Sequence, residues 1–105
     1  MHWTWVADFF GAALVANAVP HFVNGISGQP FPTPFADPPG RGESSPVVNV
    51  LWAAFNVALG WFLLWPIGGF EVRRPADAVA AALGALAVAV PLARAFGTRR
   101  GEARK

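Results

Sequence analysis

Residues 46–70 read PVVNVLWAAFNVALGWFLLWPIGGF. None of these twenty-five residues is charged, and eighteen of them are aliphatic or aromatic. A helix rises about 1.5 Å per residue, so the nineteen residues from Val47 to Trp65 reach roughly 28 Å, close to the hydrocarbon thickness of a bilayer. Asn49 and Asn56 interrupt this apolar run without outweighing it. The stretch therefore predicts a transmembrane helix.

The composition of the whole chain also favours a membrane protein. Its 105 residues are 54% hydrophobic and 13% charged, too few charges to cover a soluble domain of that size. The net charge of +2 comes mostly from a basic tail over residues 97–105, which we expect to contact anionic lipid headgroups. No recognisable nucleic-acid-binding module accompanies those charges, so nucleic acid is not a predicted partner. The absence of cysteine excludes disulfides and thiolate chemistry.

A less regular apolar segment runs from Trp3 to Ile26. Its most apolar part, residues 9–19, is too short to cross a bilayer alone. We therefore expect Asp8 to lie in the aqueous margin at one end, and the His21 region to lie at the other interface or inside the bundle. A re-entrant or interfacial helix is the alternative. The Ala16-Asn17-Ala18 triplet has the form of a processing site, but no basic residue precedes it, so we expect no cleavage there.

The third apolar segment covers residues 76–96 and is rich in alanine and glycine. Such a small-sided helix suits close packing, so we expect it to lie within the bundle. The sequence thus predicts an all-α integral membrane bundle, one domain over residues 1–105, with spans at 3–26, 46–67 and 76–96. Counts of arginine and lysine on the two sides favour an N-out, C-in orientation, with the inverted arrangement as the alternative.

A long proline-rich loop, residues 27–45, separates the first two spans. The prolines exclude a regular helix there, while Ser45 and Pro46 form a suitable helix start. Phe31 and Phe35 lie between prolines. We interpret them as part of an ordered lid that dips into the headgroup region or covers the mouth of the bundle; a flexible linker is the alternative.

Polar residues recur at helical spacing in the first two spans. Asn17, His21 and Asn24 share one face if Pro20 does not break the helix. The second span carries a matching stripe made of Asn49, Ala53, Asn56 and Gly60. We expect the two stripes to face each other and their amides to hydrogen-bond across the interface. In this interpretation the polar residues have a structural role and stabilise the packing of the two helices. A proton relay or quinone headgroup site around His21 is the functional alternative.

Catalytic and metal-binding patterns are weak in this chain. His2 and His21 are about a helix length apart with no carboxylate cluster between them, so we predict no metal. No nucleophile, base and orienting group fall together, and we predict neither an enzyme nor a cofactor. Asp8 as a buried carboxylate in a transport path is a further alternative.

One region also resembles a known family. Residues 20–25 (PHFVNG), 32–36 (PTPFA) and 44–46 (SSP), followed by Asn49, resemble a family of small uncharacterised bacterial multi-pass membrane proteins. The resemblance spans Val19 to Asn56 and implies a helical membrane protein without assigning an activity. The positions it singles out for mutation are His21, Asn24, Gly25, Phe35 and Asn49.

These observations lead to a prediction of function. We expect a non-enzymatic protein of the bacterial cytoplasmic membrane, acting as an accessory or scaffolding subunit. Its expected partners are the lipid bilayer and either further copies of itself or a larger membrane complex. The alternatives are an oligomeric small transporter or channel component, and a redox partner that binds a quinone near His21.

Overall fold

Three long helices form the computed structural model, which describes the backbone of residues 2–39 and 41–104 and the side chains of residues 3–39 and 41–97. They are α1 (His2–Ile26), α2 (Pro46–Phe62) and α3 (Pro75–Arg104), and a π-helical segment, Leu63–Ile67, continues α2. Each helix contains a stretch long and apolar enough to cross a membrane, namely Trp3–Ile26, Pro46–Ile67 and Pro75–Gly97. The predicted all-α fold with three membrane-spanning helices is confirmed, and the chain has the architecture of a small multi-pass membrane protein.

The start of α2 follows from its local sequence. Ser45 has extended backbone angles, and its side chain accepts a hydrogen bond from the amide of Val48 at 3.2 Å. Pro46 occupies the beginning of the helix, where a missing N–H costs nothing. The predicted capping by Ser45 and Pro46 is confirmed.

The end of the second span is less regular than its start. Pro66 lies inside the π-helical segment, where its missing N–H removes a helical hydrogen bond. The amide of Gly68 then bonds the carbonyl of Leu63 at 2.8 Å, and Gly69 follows with a φ of 58°. Glycine tolerates that left-handed conformation, so the chain can leave the helix here and turn towards α3.

Helix α1 is the centre of the bundle. Both α2 and α3 pack against it, whereas α2 and α3 do not pack on each other within the described chain. The third span packs closely on α1, as expected, but it lies on one side of the bundle, and only 17% of its most apolar window is buried. The reason lies in its side chains: Asp77 and Gly84 are buried, while the large apolar residues point outward, namely Val79, Leu83, Leu86 and Val90.

Glycines allow α1 and α2 to approach closely. A Cβ atom added to Gly60 would lie 2.7 Å from the carbonyl oxygen of Gly11, and one added to Gly11 would lie 2.9 Å from the carbonyl oxygen of Gly60. Gly25 makes a similar approach to the first turn of α2, 2.8 Å from the Pro46 oxygen. Small residues at such crossings bring backbones together where lipid supplies no hydrophobic force between helices.

The interior of the bundle is polar and small, and its exterior is large and apolar. The largest fully buried side chains are all polar: Asn49, Asn56, Thr33, Asp8 and Asp77. Most of the buried hydrophobic residues are alanines, while tryptophan, phenylalanine and leucine side chains are prominent on the outside. This distribution is the one a hydrocarbon environment favours, because unpaired polar groups cost free energy in lipid and apolar groups do not.

Two sequence expectations about the ends of the spans are wrong, and a third concerns side chains outside the described residues. Asp8 is fully buried rather than in the aqueous margin, because α3 and the turn after the π-helical segment pack over it. Helix α3 continues to Arg104 instead of ending near residue 96. The side chains of the predicted basic tail beyond Gly97 lie outside the described residues.

Candidate functional site

Four side chains join α1 to α2 along one line, and we call Asn17, His21, Asn49 and Asn56 the polar seam. His21 and Asn49 are both buried, with 2.7 Å between the Nδ1 atom of the imidazole and the Oδ1 atom of the amide. The helix continues through Pro20, which keeps His21 on the same face as Asn17. This is the contact between the two stripes that we expected from their spacing.

The Asn49 amide also ties down the chain that precedes α2. Its nitrogen donates to the carbonyl oxygens of Phe31 at 3.0 Å, Ser44 at 3.1 Å and Ser45 at 3.0 Å. These three acceptors fix the orientation of the amide, so Oδ1 is the atom that faces His21. Because that oxygen can only accept, Nδ1 of His21 carries the proton in this contact.

Asn17 and Asn56 form a second contact, one helical turn away on α1 and two turns away on α2. The Asn17 amide nitrogen donates to Oδ1 of Asn56 at 3.1 Å, and the Asn56 nitrogen donates to the Trp52 carbonyl at 2.8 Å. Asn56 is 1% exposed, so its amide is removed from lipid as well as from water. Each such contact between membrane helices contributes about 0.6 to 1.7 kcal/mol.

Asn24 does not join the seam, although its spacing places it on the same face of α1 as Asn17 and His21. Its amide nitrogen donates to the Pro20 carbonyl of its own helix at 2.7 Å. The side chain lies instead at a cavity between α1 and α3. The four-then-three spacing placed Asn24 correctly on α1, but it could not show that α3 would cover that part of the face.

The two aromatic residues of the connecting loop occupy different positions. Phe31 is buried, with its ring 5.4 Å from the His21 ring and 4.7 Å from the Phe96 ring of α3. Phe35 is 68% exposed and meets Trp52 on the outer face of α2 at 5.1 Å. Of the two residues predicted to form a lid, Phe31 therefore covers the end of the seam and Phe35 packs outside it.

Hydrogen bonds within the loop hold Phe31 in this position. The amides and carbonyls of Phe31 and Ser44 form an antiparallel bridge, and the hydroxyl groups of Thr33 and Ser44 are hydrogen-bonded to each other. Thr33 is 1% exposed. The loop is thus attached to α2 through Asn49 and to itself through Ser44.

A cavity of about 560 Å³ lies next to the seam, between α1 and α3. Phe31 and Phe96 form aromatic walls, and Asn24 supplies an amide at its edge. His21 is not among the residues that line it, although the Phe31 ring contacts both the imidazole and the Phe96 ring. This cavity suits a flat apolar group more than a charged one.

A second buried polar cluster was predicted only in part, because the sequence offered Asp8 as a buried carboxylate but not Asp77 as its neighbour. Asp8 of α1 lies beside Asp77 of α3, and the two are 0% and 2% exposed. Asp77 is 3.7 Å from the guanidinium of Arg74. The two aspartates are 69 positions apart in the sequence, and no spacing rule connects them. Within the described residues, no group of three metal-ligating side chains occurs here or elsewhere.

Comparisons of the chain with protein-family models, with curated proteins and with solved structures gave no match. The resemblance noted for residues 19–56 remains a prediction.

Proposed function

We propose that this protein is a non-enzymatic scaffold or accessory subunit of a membrane assembly, with its seam holding α1 and α2 together and its outer faces available to a partner. The observation that carries the proposal is that the seam amides are buried and hydrogen-bonded within the chain. Asn49 and Asn56 are fully buried, and their amides are engaged by groups of the same chain. Side chains occupied in this way support a structural role over the binding of a substrate.

Close packing along the seam argues in the same direction. Towards Asp8 the interface narrows to a backbone contact between Gly11 and Gly60. A transport path through one chain would need polar space at that level, and the two helices leave none between these glycines. A transporter or channel role would therefore require several copies of the chain.

One outer surface suits a partner helix. A groove of about 660 Å³ runs along α2, with Ala54 and Ala58 in its floor and Phe22, Trp61 and Phe62 among its walls. Two small residues four positions apart let another helix approach closely. We take the occupant to be an apolar transmembrane helix of a different protein.

The test is purification in a mild detergent followed by native mass spectrometry. The expected result is a foreign membrane protein in fixed stoichiometry, which is lost from an Ala54→Trp/Ala58→Trp variant that fills the groove. Leu51→Trp is the matched control, since Leu51 is exposed on α2 outside the groove. This control should keep the partner.

The other outcomes decide between the alternatives. A homo-oligomer without a foreign partner would contradict the scaffold role and favour the transporter or channel component. A monomer without any bound protein would also contradict the scaffold role. Loss of the partner from both variants would remove the groove as the docking surface.

A second candidate function rests on the cavity between α1 and α3. Its aromatic walls at Phe31 and Phe96, together with the Asn24 amide, support the binding of a quinone ring. The same mass measurement would reveal a co-purified quinone. Phe96→Ala should then release it, while Phe55→Ala, on the far face of α2, should not.

Location and orientation are also part of the proposal. We place the protein in a bacterial cytoplasmic membrane, on the family resemblance, with its N-terminus outside. Arg41 in the loop and Arg94 in α3 are exposed, and with the basic residues of the tail they outnumber Arg73 and Arg74 at the opposite end. Cysteine-accessibility labelling at Ser27 and Val72 would test the orientation, because the chain has no cysteine of its own.

A further inference from the structure

The pair of aspartates between α1 and α3 has an unusual set of neighbours. Asp8 is fully buried, and neither of its carboxyl oxygens has a hydrogen-bond partner within the described residues. Its Oδ1 atom lies close to the turn after the π-helical segment: a Cβ added to Gly68 would be 2.8 Å from that oxygen and 2.7 Å from the carbonyl oxygen of Leu63. Two backbone carbonyl oxygens, those of Leu63 and Leu64, lie close to the same point, and they cannot donate to the carboxyl group.

Asp77 lies in a different environment. Its Oδ2 atom accepts a hydrogen bond from the backbone amide of Glu71 at 3.1 Å and lies 3.7 Å from the Arg74 guanidinium. It is also in the first turn of α3, where the helix dipole favours a negative charge. Each of these neighbours stabilises Asp77 as an anion.

We propose that Asp8 and Asp77 form a proton-binding site, in which Asp8 carries the proton and Asp77 is the carboxylate that faces it. Two adjacent carboxylates in a poorly solvated site cannot both ionise unless each negative charge is offset. Arg74 offsets the charge of Asp77, so Asp8 needs a positive species of its own. A proton on Asp8 turns an acceptor without partners into a donor, and the Asp77 carboxylate can accept from it.

The charged surroundings of Asp8 are few. From α3 and the turn before it, Asp77 and Arg74 face it. The π-helical segment has no titratable side chain, and residues 3–7 of α1 have none either. Arg74 is 63% exposed, so the site lies one side chain away from the surface at this end of the bundle. Protons can therefore exchange with the aqueous phase there.

Loss of the proton would leave two negative charges between α1 and α3. Gly84 of α3 packs against the backbone of Phe9, the residue after Asp8, so repulsion at the pair acts directly on this interface. The inference goes beyond the scaffold role and does not depend on it.

Infrared difference spectroscopy of the protein in lipid nanodiscs, between neutral and alkaline pH, tests the proposal. The wild type should show the C=O stretching band of a protonated carboxyl group at neutral pH and lose it when the pH rises. Asp8→Asn should lack the band, because an asparagine amide replaces the protonated carboxyl as donor. Asp77→Asn should keep it at a shifted frequency, and the control Glu71→Gln should keep it unchanged, because the backbone amide remains.

Several results would overturn the inference. One is a wild type without the band at neutral pH. Another is a band that survives Asp8→Asn and disappears in Asp77→Asn. A metal cation in place of the proton would be revealed if sodium chloride, but not choline chloride, raised the melting temperature of the wild type at constant pH. If Asp8→Asn does not fold, the wild-type and Asp77→Asn spectra still decide.

Discussion

The imidazole of His21 donates from Nδ1 to Oδ1 of Asn49 over 2.7 Å, and this bond joins α1 to α2 beneath the loop that connects them. The other half of the Asn49 amide holds the backbone of that loop. One asparagine thus links two helices and the segment between them. Its surroundings lead to the first two predictions.

Replacement of Asn49 by alanine should lower the free energy of unfolding by about 2 to 4 kcal/mol, because it removes the bond to the His21 ring and the side-chain bonds to three carbonyls, which keep only their backbone donors. Thermal unfolding in one detergent, followed by circular dichroism, measures the loss. Asn24→Ala is the matched control, since the Asn24 side chain bonds only to its own helix among the described contacts, and it should cost less than about 1 kcal/mol. Equal losses would contradict the central role of Asn49.

At position 21, asparagine should replace histidine better than glutamine does. The amide nitrogen of asparagine reaches the place of Nδ1, which is the atom that bonds Asn49, whereas that of glutamine reaches the place of Nε2. We expect His21→Asn to retain more stability than His21→Gln, by about 1 kcal/mol. Unfolding in the same detergent compares them, and the reverse order would show that the ring bonds through its other nitrogen.

The contact between Asn17 and Asn56 should appear as a coupling energy. A double-mutant cycle with Asn17→Ala and Asn56→Ala should give about 0.6 to 1.7 kcal/mol, the range for polar contacts between membrane helices. A cycle of Asn17→Ala with Asn49→Ala provides the comparison, because these two residues share no hydrogen bond in the structure. A coupling as large in the second cycle as in the first would refute the assignment.

Gly60→Ala should destabilise the bundle by about 1 to 3 kcal/mol, because the added methyl group would lie 2.7 Å from the Gly11 carbonyl and 2.8 Å from the Val15 side chain. Gly97→Ala is the control. No atom lies within 4 Å of a Cβ at that helical position, so alanine should be neutral or stabilise by up to about 1 kcal/mol. Steric-trapping or unfolding measurements distinguish the two.

Phe31 and Phe35 should differ in their contribution to stability. Phe31→Ala removes a buried ring that contacts His21 and Phe96, and we expect a loss of about 3 to 5 kcal/mol. Phe35→Ala removes an exposed ring with a contact to Trp52, and a loss below about 1 kcal/mol is expected. The comparison also tests which of the two residues forms the lid over the seam. Only Phe31→Ala should enlarge the cavity between α1 and α3, because Phe31 lines it and Phe35 does not.

The α-helical spans could be predicted because the signal is local. Residues 46–67 are apolar enough to favour a membrane span whichever segments they pack against. Polar and small residues recur there every three or four positions, which places Asn49 and Asn56 on one face of the helix. The seam followed from the same argument, since amides in a lipid environment must find partners. The position of α3 on one side of α1 could not be predicted in the same way, because an alanine-rich helix has no face that differs clearly from the others.

The sequence by itself determined that the chain has three helices suited to cross a lipid bilayer, and that Asn17 and His21 of the first face Asn49 and Asn56 of the second. It wrongly added Asn24 to that set. Those conclusions rest on hydrophobicity and helical periodicity, which act within one segment. The tertiary structure alone decided that α1 is central, that Phe31 rather than Phe35 enters the bundle, and that Asp8 meets Asp77. These depend on how segments distant in the sequence meet, and there the closest approach is set by backbone contacts at a few glycines.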